Sequence, residues 1–248
     1  MTRLLLTLRY NGAAFHGWQV QPNAVTVQEV LQDAIEKLTG VRSGVIGCSR
    51  TDAGVSAEMF CCSFDTDFPL RGEKLCAALN AHLPREIAVY DVREVPADFH
   101  PRYNAHGKRY VYRIWNGRQR HPLWEGRAWH INRPLDEIAM NATASLLVGR
   151  HDFAAFCSAG SSVEDTVRTV SRAEVAREDE LLTFTVEADG FLYNMVRIFV
   201  GTLVDVAEGR LTEADLQEAL RTGNRDLAGR TAPPDGLILQ QVFYGEEC

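Results

Sequence analysis

The sequence predicts an α+β protein of two ferredoxin-like, or RNA-recognition-like, halves, each an antiparallel sheet with helices on one face, and a basic cleft between them. Three observations carry this. Apolar residues recur with a period of about two in short runs and about 3.6 in longer ones, which separates strands from helices. These runs follow the order β-α-β-β-α-β, and the order occurs twice. The 248 residues, 46% hydrophobic and 24% charged, suffice for two ordinary soluble cores.

In the first half, residues 3–10 are apolar and stop at Asn11-Gly12, a strand and its turn. The connector over 13–22 carries Phe15, His16 and Trp18, which is aromatic for a loop. Thr26 caps a helix, with Glu29 three residues on as in a capping box. Val27, Val30, Leu31, Ile35 and Leu38 form its apolar stripe, and Gly40 ends it. Strands are expected over 43–48 and 59–64. A second helix covers 72–83 with Leu75, Ala78, Leu79 and Leu83 inward; Pro84 stops it, and a strand follows over 87–95. The boundary falls within 96–106, giving halves of 1–103 and 104–248.

The second half opens with a strand over 108–115. Pro134 starts a helix whose apolar positions include Ile138, Ala142, Leu146 and Leu147. Strands over 167–176 and 182–188 pair around a turn at 177–180. A helix covers 194–206, Thr212 caps a short one carrying Leu216 and Leu220, and the last strand covers 237–244.

Composition excludes several classes. No apolar run approaches the roughly 20 residues that cross a bilayer, and the opening apolar segment is too short for a secretory signal, so a cytoplasmic protein is expected. Six cysteines show no CxxC pair, and seven histidines show no HExxH or other ligand spacing, so neither a metal nor a disulfide framework is expected. No phosphate-binding glycine loop occurs, so nucleotide and dinucleotide cofactors find no support, and no GxSxG nucleophile elbow occurs either. The net charge is -7, yet residues 102–133 hold Arg102, Lys108, Arg109, Arg113, Arg118, Arg120, Arg127 and Arg133 against Glu125 alone. Such a stripe either pairs with acids elsewhere or binds phosphates.

Three stretches carry candidate chemistry. In Ser49-Arg50-Thr51-Asp52-Ala53-Gly54-Val55 one carboxylate, Asp52, sits on a loop between two strands. A plain turn is the simpler reading of Asp-Ala-Gly. A helix covers 194–206, and from Phe191 to Val204 Arg197 is the only formal charge. A buried guanidinium requires a carboxylate or several carbonyls, or else it snorkels to the surface. Asp52 is a suitable acid, and an arginine beside it would favour the ionised carboxylate. The strand Lys108-Arg109-Tyr110-Val111-Tyr112-Arg113 puts Tyr110 and Tyr112 on one face and Arg109 and Arg113 on the other. Aromatics there are either core or stack bases.

Arg50-Thr51-Asp52-Ala53-Gly54-Val55 resembles the catalytic-loop motif of the tRNA pseudouridine synthase A (TruA) family. Further blocks agree in order: Phe15-His16-Gly17-Trp18-Gln19, Thr26-Val27-Gln28, Phe99-His100 with Arg102, Lys108-Arg109-Tyr110, Asp152-Phe153 with Phe156, Asn194-Met195-Val196-Arg197, and the segment 232–237. The resemblance implies the pseudouridine synthase fold and isomerisation of uridines 38 to 40 in the tRNA anticodon stem-loop. It further implies a homodimer sharing one tRNA, and neither metal nor organic cofactor. Asp52 takes the place of the catalytic aspartate, Tyr110 that of the tyrosine contacting the target base, and Arg197 that of the arginine paired with the aspartate. Arg50, Arg102, Lys108 and Arg109 are expected at phosphates. One position departs: the family motif usually continues Val-His-Ala, whereas Ser56 stands here in place of the histidine. Two other classes compete, an RNA-binding module without catalysis and a carboxylate-based glycoside hydrolase, which lacks an evident second acid.

Overall fold

The structure, a computed structural model, describes residues 1–160 and 163–245. The chain divides into two compact units, one of Met1–His106 with the segment from Ile238 onward, the other of Gly107–Leu237.

The first unit runs β1 (Thr2–Tyr10), α1 (Val27–Thr39), β2 (Ile46–Gly47), β3 (Ser56–Thr66), α2 (Gly72–Asn80) and β4 (Ile87–Val95). β1 is central, antiparallel to β3 from Thr2↔Thr66 to Tyr10↔Ala57 and to β4 from Arg3↔Val95 to Tyr10↔Ile87. Leu4, Leu5, Leu6 and Leu8 are all fully buried, which is why β1 reads as a continuous apolar run and does not alternate. α1 buries Val27, Leu31, Ala34 and Ile35, and the Thr26 hydroxyl accepts the Glu29 N–H at 3.4 Å, as the capping signature predicts. β2 is shorter than the expected 43–48 and pairs antiparallel with β3 only at Ile46↔Ser63 and Gly47↔Cys62. Cys48, Cys61 and Cys62 are buried thiols that form no disulfide, and burial pushes the Cys61 thiol up to about 11.

The second unit runs β5 (Gly107–Trp115), β6 (Trp129–His130), α3 (Glu137–Ser145), β7 (Gly149–Asp152), β8 (Val167–Glu178), β9 (Leu181–Ala188), α4 (Met195–Ala207) and α5 (Glu213–Thr222). Its antiparallel ladder has the order β5-β9-β8-β7. β8 and β9 meet at a tight turn with Asp179 at φ 54, a conformation aspartate tolerates. The 177–180 turn therefore stands as expected. α4 buries ten of its residues, and Phe199 meets Phe153 and Phe156 at 5.4 and 5.0 Å. Thr212 caps α5 in a full capping box with Asp215.

Two readings require correction. Pro134 does not open α3: Asp136 caps it, accepting from the N–H groups of Ile138 and Ala139, and Ile138 is 82% exposed. The inward face is Met140, Thr143 and Ala144, a different face from that of Ile138 and Ala142, because packing against the rest of the unit decides which side of the helix is buried. The strands β6 and β7, of two and four residues, were too short to carry a periodic signal. The last strand, β10 (Leu237–Phe243), runs parallel to β3 at Ile238↔Ser56 and Leu239↔Ala57, so the tail belongs with the first unit. Sequence periodicity grouped it with 104–248, since a strand's partner at this separation leaves no local trace.

The aromatic connector after β1 sets the position of the loop between β2 and β3. Residues 12–18 lie against the loop over 51–55 with no room for side chains at two points. A Cβ on Gly12 would stand 2.1 Å from the Val55 carbonyl oxygen, and one on Gly17 2.5 Å from that of Thr51. Gly17 also has φ +88, which disfavours any other residue. The Gly12 N–H donates to the Ser56 hydroxyl at 3.0 Å. Gly12→Ala is therefore expected to lower stability by about 1–3 kcal/mol, read as a fall in Tm of several degrees. An unchanged Tm would contradict this close approach.

Candidate active site

Asp52 stands in the first unit between β2 and β3. The residue before it, Thr51, is buried; its hydroxyl bonds the Tyr10 hydroxyl at 2.8 Å, and its carbonyl accepts the Trp18 N–H at 3.1 Å. The Asp52 carbonyl accepts the Val55 N–H at 3.1 Å, closing a turn with Gly54 at φ 82. The Gly54 N–H donates to the Phe15 carbonyl at 3.2 Å. The simple reading of 52–54 as a turn is thus correct in geometry. The residues flanking Asp52 are tied to β1 and to the aromatic connector, which leaves a half-buried carboxylate on a fixed backbone.

Arg50 and Arg102, both exposed, come together in the first unit on one cavity of roughly 240 Å³. Neither makes an ion pair among the described residues.

The other predicted residues belong to the second unit. Tyr110 on β5 is 6% exposed and sits edge-on to Phe191, ring centroids 4.9 Å apart. Phe191 lies just before α4, so the strand and the helix start are packed together. Arg109 pairs with Glu187, directly opposite it on β9, Nε to Oε1 at 2.8 Å. Lys108 is buried. Arg197 lies in the first turn of α4, where its Nε donates to the Ala232 carbonyl at 2.7 Å and its Nη1 to the Asn194 side-chain oxygen at 2.8 Å. Asn194 holds a left-handed backbone at φ 61, and its amide nitrogen donates to the Ser158 hydroxyl at 2.9 Å.

Two supports lie in stretches the sequence singled out, though their contacts were not legible there. Asn194 orients Arg197. Tyr112, which shares the strand with Tyr110, donates its hydroxyl to the Pro233 carbonyl at 2.8 Å. Burial raises its phenol well above the usual range, so it stays a neutral donor. Tyr112 and Arg197 thereby hold adjacent carbonyls of the 232–236 segment.

Elsewhere in the basic stripe, Arg118, Arg120, Arg127 and Arg133 are exposed, and the Arg113 guanidinium lies 5.7 Å from the Trp124 ring. Of the stripe's arginines, Arg109 alone is in an ion pair among the described residues. Among the described residues no three His, Cys, Asp or Glu side chains gather as they would around a metal, and no helix is long and apolar enough to cross a membrane.

Comparison with known proteins gives a consistent family. A family model described as tRNA pseudouridine synthase matches residues 7–104 and 143–245. A protein of Thermoanaerobacter sp. (strain X514) named tRNA pseudouridine synthase A is 45% identical over 98% of this chain and 100% of its own. One of the same name from Acetivibrio thermocellus is 43% identical over 98% and 100%. A chain from a crystal structure of a Cbf5-Nop10-Gar1 complex matches at TM-score 0.43 and 13% identity, over 95% of this chain and 48% of its own. The anchored Asp52 loop and the Asn194–Arg197 helix start therefore sit in a chain that belongs to the tRNA pseudouridine synthase family.

Proposed function

We propose that this enzyme isomerises uridine to pseudouridine at positions 38 to 40 of the tRNA anticodon stem-loop, with Asp52 as the nucleophile. The observation that carries the reading is the immobilised Asp52 loop, in a chain matching tRNA pseudouridine synthases over nearly its whole length. The reaction breaks the N1–C1′ bond and forms C5–C1′; C5 loses a proton and N1 gains one. It is redox-neutral. The target base must first leave the stack. Ionised Asp52 then acts at the sugar–base junction. Tyr110 contacts the base and takes the C5 proton. Arg197 is the counter-ion that keeps Asp52 charged and aimed, a role supported by its being the lone charge in the first part of an apolar helix. Arg50, Arg102, Lys108, Arg109 and the remaining stripe bind backbone phosphates, so affinity falls with salt. The active form is a cytoplasmic homodimer that shares one tRNA.

Asp52→Ala should retain tRNA binding while activity drops by on the order of 10⁴-fold or more. The check is pseudouridine mapping on an unmodified transcript by carbodiimide block to reverse transcription. Residual product near the parent rate would sink the nucleophile and favour an RNA-binding module. Arg197→Lys, which keeps the charge but loses the planar fork, should lower kcat by roughly 10²–10³-fold. Arg197→Ala should in addition cost about 1–3 kcal/mol of stability, by stranding the Ala232 and Asn194 oxygens. A fully active, fully stable Arg197→Ala enzyme would contradict both roles.

A further inference from the structure

We propose that the cavity bounded by Trp18, Gln28, Arg50, His100, Arg102 and Tyr103 is a subsite for one unstacked base of the tRNA strand beside the target nucleotide. It rests on the reading of Asp52 as the group that meets the target. Arg50 and Asp52 are two residues apart, so their backbones stand within about 7 Å. A strand delivering its target to Asp52 brings a neighbouring nucleotide to this wall.

The chemistry of the wall selects a base. Tyr103 is 77% exposed, yet its ring is held: it lies 4.2 Å from the His100 ring at 32°, and the Arg102 guanidinium is 5.8 Å from its centroid. The turn beneath is fixed. His100 Nδ1 accepts the Arg102 N–H at 3.1 Å, the His100 N–H donates to the Asn104 side-chain oxygen at 2.7 Å, and the His100 carbonyl accepts the Tyr103 and Asn104 N–H groups. An exposed aromatic on a rigid turn, flanked by a guanidinium, is a stacking platform for single-stranded nucleic acid. Arg50 and Arg102, with no carboxylate partner among the described residues, supply the phosphate contacts.

Two further lining residues, Trp18 and Gln28, are fixed by their own contacts. Trp18 stacks on Phe60 at 4.1 Å. The Gln28 amide is used at both ends, its oxygen accepting the Val20 N–H at 2.9 Å and its nitrogen donating to the Val45 carbonyl at 2.8 Å. With both ends engaged by backbone, Gln28 serves the wall, and stacking on Tyr103 accepts any base because every base has a π-face. A volume of roughly 240 Å³ lies below the range of about 300–1,000 Å³ typical of whole-ligand pockets, which suits a single base.

The test compares wild type, Tyr103→Ala and Tyr103→Phe on a full-length tRNA transcript, and on transcripts made abasic at one position next to the target at a time. Tyr103→Ala should raise the tRNA Kd and KM by about tenfold and leave kcat unchanged, whereas Tyr103→Phe should match wild type. At one neighbouring position, removing the base should cost wild type a similar factor and cost Tyr103→Ala nothing more. Exchanging the base there should change Kd by less than about twofold. An unchanged Kd in Tyr103→Ala, an equal loss in Tyr103→Phe, or additive losses at every abasic position would each overturn the subsite. If wild type forms no pseudouridine, the proposed reaction fails, while the Kd comparison still decides the subsite.

Discussion

The approach of backbone to backbone between residues 12–18 and 51–55 governs the first unit. Two glycines make it possible, because at Gly12 and Gly17 the neighbouring carbonyls occupy the space of a side chain. An Asp-Ala-Gly loop has no structural preference strong enough to hold a carboxylate still. Ordering its residues costs roughly 1–2 kcal/mol each. Its hydrogen bonds to Trp18, Phe15 and Tyr10 return about 1 kcal/mol apiece, and burying Val55 adds about 1.5–3 kcal/mol. The fixed loop is thus a property of β1 and the aromatic connector. The blocks Phe15 to Gln19 and Thr26 to Gln28, which look unrelated to chemistry in the sequence, are the brackets of this clamp. The Val27 N–H donates to the Gly17 carbonyl and the Gln28 N–H to that of Trp18, so helix α1 starts on the same connector.

The second unit solves a similar problem with charge. Arg197 is aimed by the Ala232 carbonyl, and Ala232 lies on a segment with no regular structure of its own. That segment is tied to α4. The Thr202 hydroxyl accepts the Gly229 N–H at 2.8 Å, and Asp205 accepts the Arg230 N–H at 3.2 Å. The Arg230 guanidinium pairs with Asp205 at 3.4 Å and Glu208 at 3.0 Å, two acids whose side chains are almost wholly buried. Arg210 pairs with the same two acids, at 2.8 Å to Asp205 and 2.5 Å to Glu208, so two arginines share these carboxylates and the Arg230 pairs serve to tie the 228–232 segment to the helix. One helix thereby carries both Arg197 and the acids that hold Arg197's carbonyl partner in place.

The sequence was most legible where structure is decided locally. Thr26 and Thr212 cap the helices they were expected to cap, because a capping box is a contact between residues three apart. The strands of β1, β4, β5, β8 and β9 followed from apolar runs bounded by turn residues. Legibility ended where a distant partner decides. Ile138 looked inward, yet tertiary packing buries the face of Met140, Thr143 and Ala144 instead. Arg109 faces Glu187 across a ladder, a pairing that no local pattern announces. Asp52 was visible as a turn residue with a carboxylate. Neither the bonds that immobilise it nor the Asn194 contact to Arg197 could be read, since each joins a residue to backbone whose path the sequence does not give.

Ser56 brings these two kinds of information together. As a motif position it departs from the Val-His-Ala that the family resemblance leads one to expect. In the fold it is the first residue of β3, its hydroxyl accepts the Gly12 N–H, and its backbone is the register partner of Ile238 on β10. It therefore touches the connector and follows the loop, on the strand that receives the chain's tail. A short acceptor suits that spot: Gly12 approaches so closely that the adjoining carbonyl would meet even a methyl group. The serine engages the connector from within the clamp, which makes residue 56 a support of the Asp52 loop in this chain whatever its counterpart does in others.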